Sequence, residues 1–537
     1  MRVTWCYVAT LGVLAAFARP VFADDFIFGD GFDGPALAAS YFVSPQGLDS
    51  NPGTMDLPFL TVTRGISAAA IDSTRRNVLV ADGIYDESVS LSGGVNLYGG
   101  YQPGNWERTG TATVIDGVAS NGSHDSAMVA VNITSATTFD GFVVYGSSNS
   151  KSGGNSYAIY VAGSNSNLHI TDNAIFAGHG GRGYSGAVGL NGTPGVNGGS
   201  YSTALDAFTA TSTGVCNSSN NRPAGGAGVL TCPGAGVVSG GNGGGNNCTP
   251  VLSTQNSTAT SPASAGIAAG GAGGGSAGVA GIRGYDGQLD QSVTCFLPSS
   301  GGNSLPLAGS NGTAGGLGAD APGSAGCTLA AGSVSGGDWT NGSTPDGIAA
   351  SAGGGGGGGA AGGGASCTGS GCKDLLGGHG GGGGSGGCAG AGGHAAGGGG
   401  GAFGIFILGT PGSIPVVTGN TVFLGDGGDG GNGGAGGTGG LGGSGTQGGQ
   451  SGPSFCAGAG GRGGNGGRGG SGSGGGGGCG GTSVGIYTSG IGTPSYCTAA
   501  SNTLVGGFGG VNGTGGVSLV NAGGSGAAGA MAHCSFN

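Results

Sequence analysis

Residues able to do acid–base chemistry are few in this chain, and their neighbours indicate what they are for. Lysine occurs only as Lys151 and Lys373, and glutamate only as Glu87 and Glu107. Cleaving a glycosidic bond needs two carboxylates about that bond, or a carboxylate cluster for calcium together with a base. Asp116, Asp140 and Asp172 are the candidates, but each stands directly before Gly or Asn, where aspartate characteristically forms turns. Asp426, Asp429 and Asn432 share a three-residue spacing that could bind calcium weakly. That spacing differs from the calcium-binding nonapeptide repeat, so a solvated edge is expected. Cys367, Cys372, His379, Cys388 and His394 include side chains that zinc accepts, yet their spacing matches no strong zinc pattern. Disulfides with exposed histidines are expected instead. Chance matches to G-x-S-x-G or G-x-G-x-x-G carry no information in so glycine-rich a chain. No catalytic residue, metal or cofactor is assigned.

Charge and cysteine content narrow the setting. Charged residues are 7% of the chain, and 13 Lys+Arg face 24 Asp+Glu, a net charge of -11. There is no basic field for a phosphate backbone, so nucleic acid is excluded as a partner. Residues 1–23 combine Arg2, an apolar stretch and Val21-Phe22-Ala23, the pattern of a signal peptide. Export to the extracellular space or cell surface is expected, with the periplasm as the other open compartment. No later segment is apolar for long enough to span a membrane in the mature chain. Residues 24–40 read as a flexible leader, and the role of its acidic and aromatic cluster at 25–33 stays open. Cleavage removes Cys6 and leaves twelve cysteines: Cys216, Cys232, Cys248, Cys295, Cys327, Cys367, Cys372, Cys388, Cys456, Cys479, Cys497 and Cys534. An even number in an exported chain indicates disulfides, and the spacing leaves their connectivity open.

The elements that must position these residues are short strands. Tyr41, Val43, Ser44, Gly47, Asp49, Asn51, Pro52, Gly53, Thr54, Pro58 and Phe59 form a strand followed by a turn-rich loop, and short apolar triplets run on to 101. With Gly83, Tyr85, Glu87, Gly99 and Gly100, this order resembles the opening of a family of secreted right-handed parallel β-helix proteins of the pectate-lyase-like superfold. The resemblance covers about 65 residues and implies a fold but no single activity. Gly65 departs from it, because alanine would be expected in the short helix there.

Segments 157–178, 403–425 and 484–507 are related to one another: Ile159, Ile405 and Ile486 correspond, as do Asn173, Asn420 and Asn502. Such repeats indicate a solenoid, whose coils bury apolar faces only by stacking. The three asparagines are expected to form a structural ladder of stacked amides. The fold class expected is therefore all-β, a right-handed parallel β-helix of about five coils. The cap and first coils occupy 41–177, with later coils at 401–424 and 483–505.

Between the coils lie glycine-rich inserts at 178–400 and 425–482 and a glycine-rich tail at 506–537, all leaving from the same corner. Glycine supplies 147 residues, and in 425–445 every third residue is something else. The same period runs through 180–198, 275–287, 377–392, 460–472 and 507–516. Three residues per turn is the period of a polyproline-II-type helix, which makes no internal hydrogen bonds. Three readings are open. Tracts packed side by side would form a bundle similar to the polyglycine-II bundles of certain phage adhesins and an arthropod antifreeze protein. Disordered spacers and a collagen-like assembly are the alternatives, the latter disfavoured because proline numbers only 19. The expected function is non-enzymatic: a glycine-rich surface for adhesion or structural contact with carbohydrate or other cell-surface components. The alternative is a polysaccharide lyase or glycoside hydrolase. The oligomeric state is left open.

Overall fold

The computed structural model describes residues 37–117, 126–199, 208–209, 224–247, 258–259, 287–289, 308–328, 332–363, 365–367, 375–451 and 458–537. The signal segment and the 25–33 cluster lie outside them. Its architecture is mostly β, with three six-stranded sheets in which every pairing is parallel. The first sheet runs Ser40–Val43, Asn77–Ala81, Asn96–Tyr101, Thr137–Asp140, Leu168–Thr171 and Val416–Thr418. The second runs Gly83–Asp86, Thr113–Asp116, Val143–Tyr145, Ala174–Phe176, Thr421–Leu424 and Thr503–Gly506. The third runs Val89–Ser90, Ser126–Val131, Ser156–Ala162, Ala402–Leu408, Ser483–Ser489 and Met531–Phe536. The chain visits the sheets in rotation, so each strand pairs with its counterpart from the neighbouring turn.

This order stacks like on like. Val78, Leu97, Phe139, Ile170 and Val417 form one column through successive partners of the first sheet. Ile115, Val144, Ile175 and Val422 do so in the second, and Met128, Ile159, Ile405 and Ile486 in the third. All are at most 3% exposed and belong to one apolar core. No single turn could bury its apolar face alone, which is why the repeat is cooperative.

One end of the stack is closed by the helix Val62–Ile71. Thr61 caps it by accepting from the Arg64 N–H, and the Glu87 carboxylate accepts from the Val62 and Thr63 N–H groups at 2.7 and 3.0 Å. A carboxylate there also complements the helix dipole. Gly65 lies on the buried face, where a Cβ would come 2.7 Å from Val43 and 2.8 Å from Val78. The expected alanine would not fit this packing.

The turns number six rather than about five. The additional strand is Met531–Phe536 at the end of the segment expected to be a glycine-rich tail; it pairs with Ser483–Ser489. Connections from the second sheet to the third, at 87–88, 117–125, 146–155, 177–401, 425–482 and 507–530, share one corner. All the long glycine-rich segments leave there.

Candidate functional site

Asn173, Asn420 and Asn502 meet at the turn between the first and second sheets. Asn173 Nδ2 donates to Asn420 Oδ1, and Asn420 Nδ2 donates to Asn502 Oδ1, each at 3.0 Å. The same Oδ1 atoms accept backbone N–H groups of Asn173 and Asn420, and the Nδ2 groups also reach the carbonyls of Phe139, Ile170 and Val417. All three side chains are at most 5% exposed. Together these bonds satisfy buried turn backbone.

Beyond the shared corner, the glycine tracts lie beside one another and exchange a backbone hydrogen bond at every third residue. Between 428–449 and 379–400 the pairs run Gly428 to Gly400, Gly431 to Gly397, Gly434 to His394 and onward to Gly449 with His379, at 2.8–2.9 Å. The residue numbers of each pair sum to a constant, so the two tracts are antiparallel. Between 180–198 and 426–444 the offset is constant instead, from Gly180 with Asp426 to Gly198 with Ser444, so these run parallel.

Tract 379–400 is central: its three columns of N–H groups also serve 458–479, 181–196 and, at one end, 241–244, while its carbonyls accept from 347–362. A side chain on its bare columns has no room. At Gly381, Gly384, Gly387 and Gly390 alike, a Cβ would collide with a carbonyl of the 428–449 tract.

Position in this array explains composition. Tract 180–198 lies at the rim and reads G-x-y, with Tyr184, Val188 and Leu190 61–81% exposed. Tract 425–445 reads G-G-x, with Asp429, Asn432, Leu441 and Ser444 outward. In the central tract the third column is itself enclosed. His379 is therefore fully buried, against the expectation that it is exposed; the rim-ward His394 is exposed and faces Asp346.

The outward acids and amides are also engaged. Asp426, Asp429 and Asn432 accept the N–H groups of Phe508, Val511 and Thr514 at 2.9–3.0 Å, three rungs with one constant offset. Asn191 and Asn197 do the same for Thr438 and Ser444. Among the described residues no three His, Cys, Asp or Glu side chains lie close enough to hold a metal ion.

Among the described residues three disulfides are present: Cys232–Cys388, Cys327–Cys479 and Cys497–Cys534. The first two tie tracts of the array together, and the third ties the last two turns of the sheets. Pairing with Cys232 removes Cys388 from any zinc set. Cys216, Cys248, Cys295, Cys372 and Cys456 lie outside the described residues, and Cys367 ends the short strand Ala365–Cys367.

The acids of the turns divide by partner. Asp140 forms an ion pair with Arg108 and accepts from the Thr171 hydroxyl at 2.6 Å. Asp172, one turn further on, adopts a positive φ of 52°, and burial followed by the charge of Asp140 raises its pKa above the ordinary value. Asp116 ends its strand exposed. Lys151 is exposed beside the array, Glu107 accepts from Asn105, and Lys373 is outside the described residues.

Sequence reasoning missed a second apolar cluster. On the outer side of the third sheet, Tyr157, Tyr160, Phe403, Phe406, Val484 and Tyr487 pack with Trp339. Trp339 belongs to a hairpin, Ser333–Ser335 with Asp338–Thr340, that arrives from the long insert. Its N–H donates to the Tyr157 hydroxyl at 3.1 Å, its carbonyl accepts from Asn155 at 2.6 Å, and Tyr160 donates to the Gly337 carbonyl. The strands Ser156–Ala162, Ala402–Leu408 and Ser483–Ser489 are consequently buried on both faces. Their near-continuous apolar character was the available signal.

No helix among the described residues is long and apolar enough to cross a membrane. No family model matches the chain, and no solved structure matches it. One curated relative is the uncharacterized protein YwoF of Bacillus subtilis (strain 168), 25% identical over 171 residues; the match covers 32% of this chain and spans about a third (35%) of the relative's length.

Proposed function

We propose that the chain is an exported, non-enzymatic right-handed parallel β-helix carrying at one corner a polyglycine-II bundle, whose decorated rim contacts carbohydrate or other cell-surface components. The period-three hydrogen bonding between tracts carries this reading. The bare columns leave no room for a Cβ, so what the array can offer a partner is its outer column, and that column holds hydroxyl, amide and aliphatic groups with few charges. Such a surface matches hydrated, neutral polymers better than ionic ones. Disulfides support an oxidising compartment. Mixed parallel and antiparallel neighbours around 180–198 favour a bundle within one chain over a collagen-like assembly, whose three strands would all run parallel.

The test is retention of purified protein on insoluble polysaccharides and on intact cells, with a glycan array in parallel. Saturable retention that is lost when the disulfides are reduced supports the reading. Failure to be retained by any surface overturns it. A second reading, a polysaccharide-cleaving enzyme, draws on one observation, the neighbouring acids Asp140 and Asp172 beside Arg108. Release of unsaturated or reducing sugars by the wild type, abolished in Asp172→Asn, would establish that reading in place of the first.

A further inference from the structure

A cleft of about 390 Å³ opens where the glycine array meets the third sheet, away from the acids of the turns. One wall is the array itself, Ala396 to Gly399. The other is the end of the Trp339 hairpin and the segment that follows it. Tyr184, Asn155, Thr340, Asn341, Ser343 and Thr344 supply the side chains, and none of the lining residues carries a charge.

Each wall component has a cause in the fold. Tyr184 projects from the rim tract and lies over Gly397, where a Cβ would strike its ring; the ring is nonetheless 61% exposed. Asn155 is fixed by donating to Trp339 and accepting from the Gly401 N–H. Asn341 Nδ2 donates to the Gly399 carbonyl at 2.6 Å. Two polar atoms of these lining residues, Asn341 Oδ1 and Thr344 Oγ1, are buried behind the wall and have no hydrogen-bond partner. An orphaned buried acceptor or hydroxyl is costly and calls for a partner.

We infer that this cleft binds a neutral sugar residue of a glycan chain, a reading that rests on the proposed carbohydrate contact of the rim and names its subsite. The chemistry fits a pyranose. An exposed tyrosine ring offers an apolar face for the C–H side of a sugar, amides and hydroxyls converge to bond its hydroxyl groups, and no lining residue is charged. A bound hydroxyl would satisfy Thr344 Oγ1 or Asn341 Oδ1 once that side chain rotates toward the cleft. An anionic sugar would find no cation among the lining residues and would meet a chain of net charge -11.

The test is calorimetric titration of the full chain, disulfides intact, with neutral oligosaccharides (β-glucan, mannan, galactan and chitin fragments) and with oligogalacturonate. Binding of at least one neutral oligosaccharide is expected, with no binding of the uronate. Tyr184→Ala should weaken it at least about tenfold, the scale of one lost aromatic contact. Thr344→Val, which keeps shape and removes the hydroxyl, should weaken it roughly three- to tenfold without lowering Tm. Unchanged affinity in both variants, preference for the uronate, or no neutral ligand at all overturns the cleft. Retention on insoluble surfaces in any of those cases would leave the rim reading standing, so the two failures are distinguishable.

Discussion

Gly384 sits in the central tract with its missing Cβ aimed at the Gly443 carbonyl oxygen. Alanine there must push two hydrogen-bonded backbones apart, so Gly384→Ala is expected to cost about 3 kcal/mol, at the upper end of overpacking effects. The sign is informative. Were the tract a disordered spacer, the same substitution would be neutral, because it would restrict the folded and unfolded chains alike. Leu441→Ser, on an outward column, should stay within about 0.5 kcal/mol; urea titration of both separates the cases. Asn420 is the middle rung of its ladder, and Asn420→Ala takes the Oδ1 acceptor from the buried Asn173 backbone N–H and the Nδ2 donor from the Ile170 carbonyl. A loss of roughly 3 kcal/mol is expected, again by urea titration. Asp172 makes the opposite contribution. Its pKa is raised on folding, so the folded chain holds that proton more tightly than the unfolded one. Stability is therefore fullest below the ordinary value of 3.8 and falls as pH rises through the raised value. Asp172→Asn, which also tolerates the positive φ, should match wild type near pH 3.5 and have the higher Tm at pH 7.

At the scale of elements, the number of bare columns in a tract reflects how many sides it must offer to neighbours. All three columns of 379–400 bond to neighbouring tracts, whereas two bare columns mark 425–445 and one marks 180–198. A polyproline-II-type helix bonds nothing within itself, so each tract is stable only in company, and long-range ties matter more than in a compact core. Cys232–Cys388 and Cys327–Cys479 close separations of 156 and 152 residues. Chain entropy alone assigns each up to about 5 kcal/mol. Replacing Cys232 and Cys388 together by alanine is expected to remove several kcal/mol and to accelerate amide exchange through 379–400 by orders of magnitude, with little change in the sheets; exchange followed by mass spectrometry reads both. The period of three and the recurring asparagines were legible because identical environments demand identical residues. His379 was not, since a Gly-Gly-His step reads the same whether its column faces solvent or another tract. The strand Met531–Phe536 was hidden for a related reason: its two sides are set by Ser483–Ser489 and not by any alternation of its own.

For the molecule as a whole, the question is what joins the array to the sheets. Backbone connections at the corner supply continuity, and a packed side-chain contact comes from Trp339, whose hairpin follows the strand Ala174–Phe176 by more than 150 residues and joins the cluster of Tyr157, Phe403 and Phe406. A lone tryptophan in glycine-rich sequence carries no hint of so distant a partner, which is why this contact was invisible before the fold was known. Trp339 also lines the proposed sugar cleft and anchors the segment that forms its wall. Trp339→Ala should cost about 3–5 kcal/mol, the range for a buried aromatic deletion. The two parts retain their own cores, one apolar and one of backbone hydrogen bonds, so the loss should uncouple them and not unfold either. Calorimetry of the wild type is expected to give one transition, and of the variant two. Sugar affinity should fall in parallel because the 340–344 wall loses its anchor. A single transition shifted to lower temperature, with affinity unchanged, would mean that the corner connections couple array and sheets and that the tryptophan merely fills space.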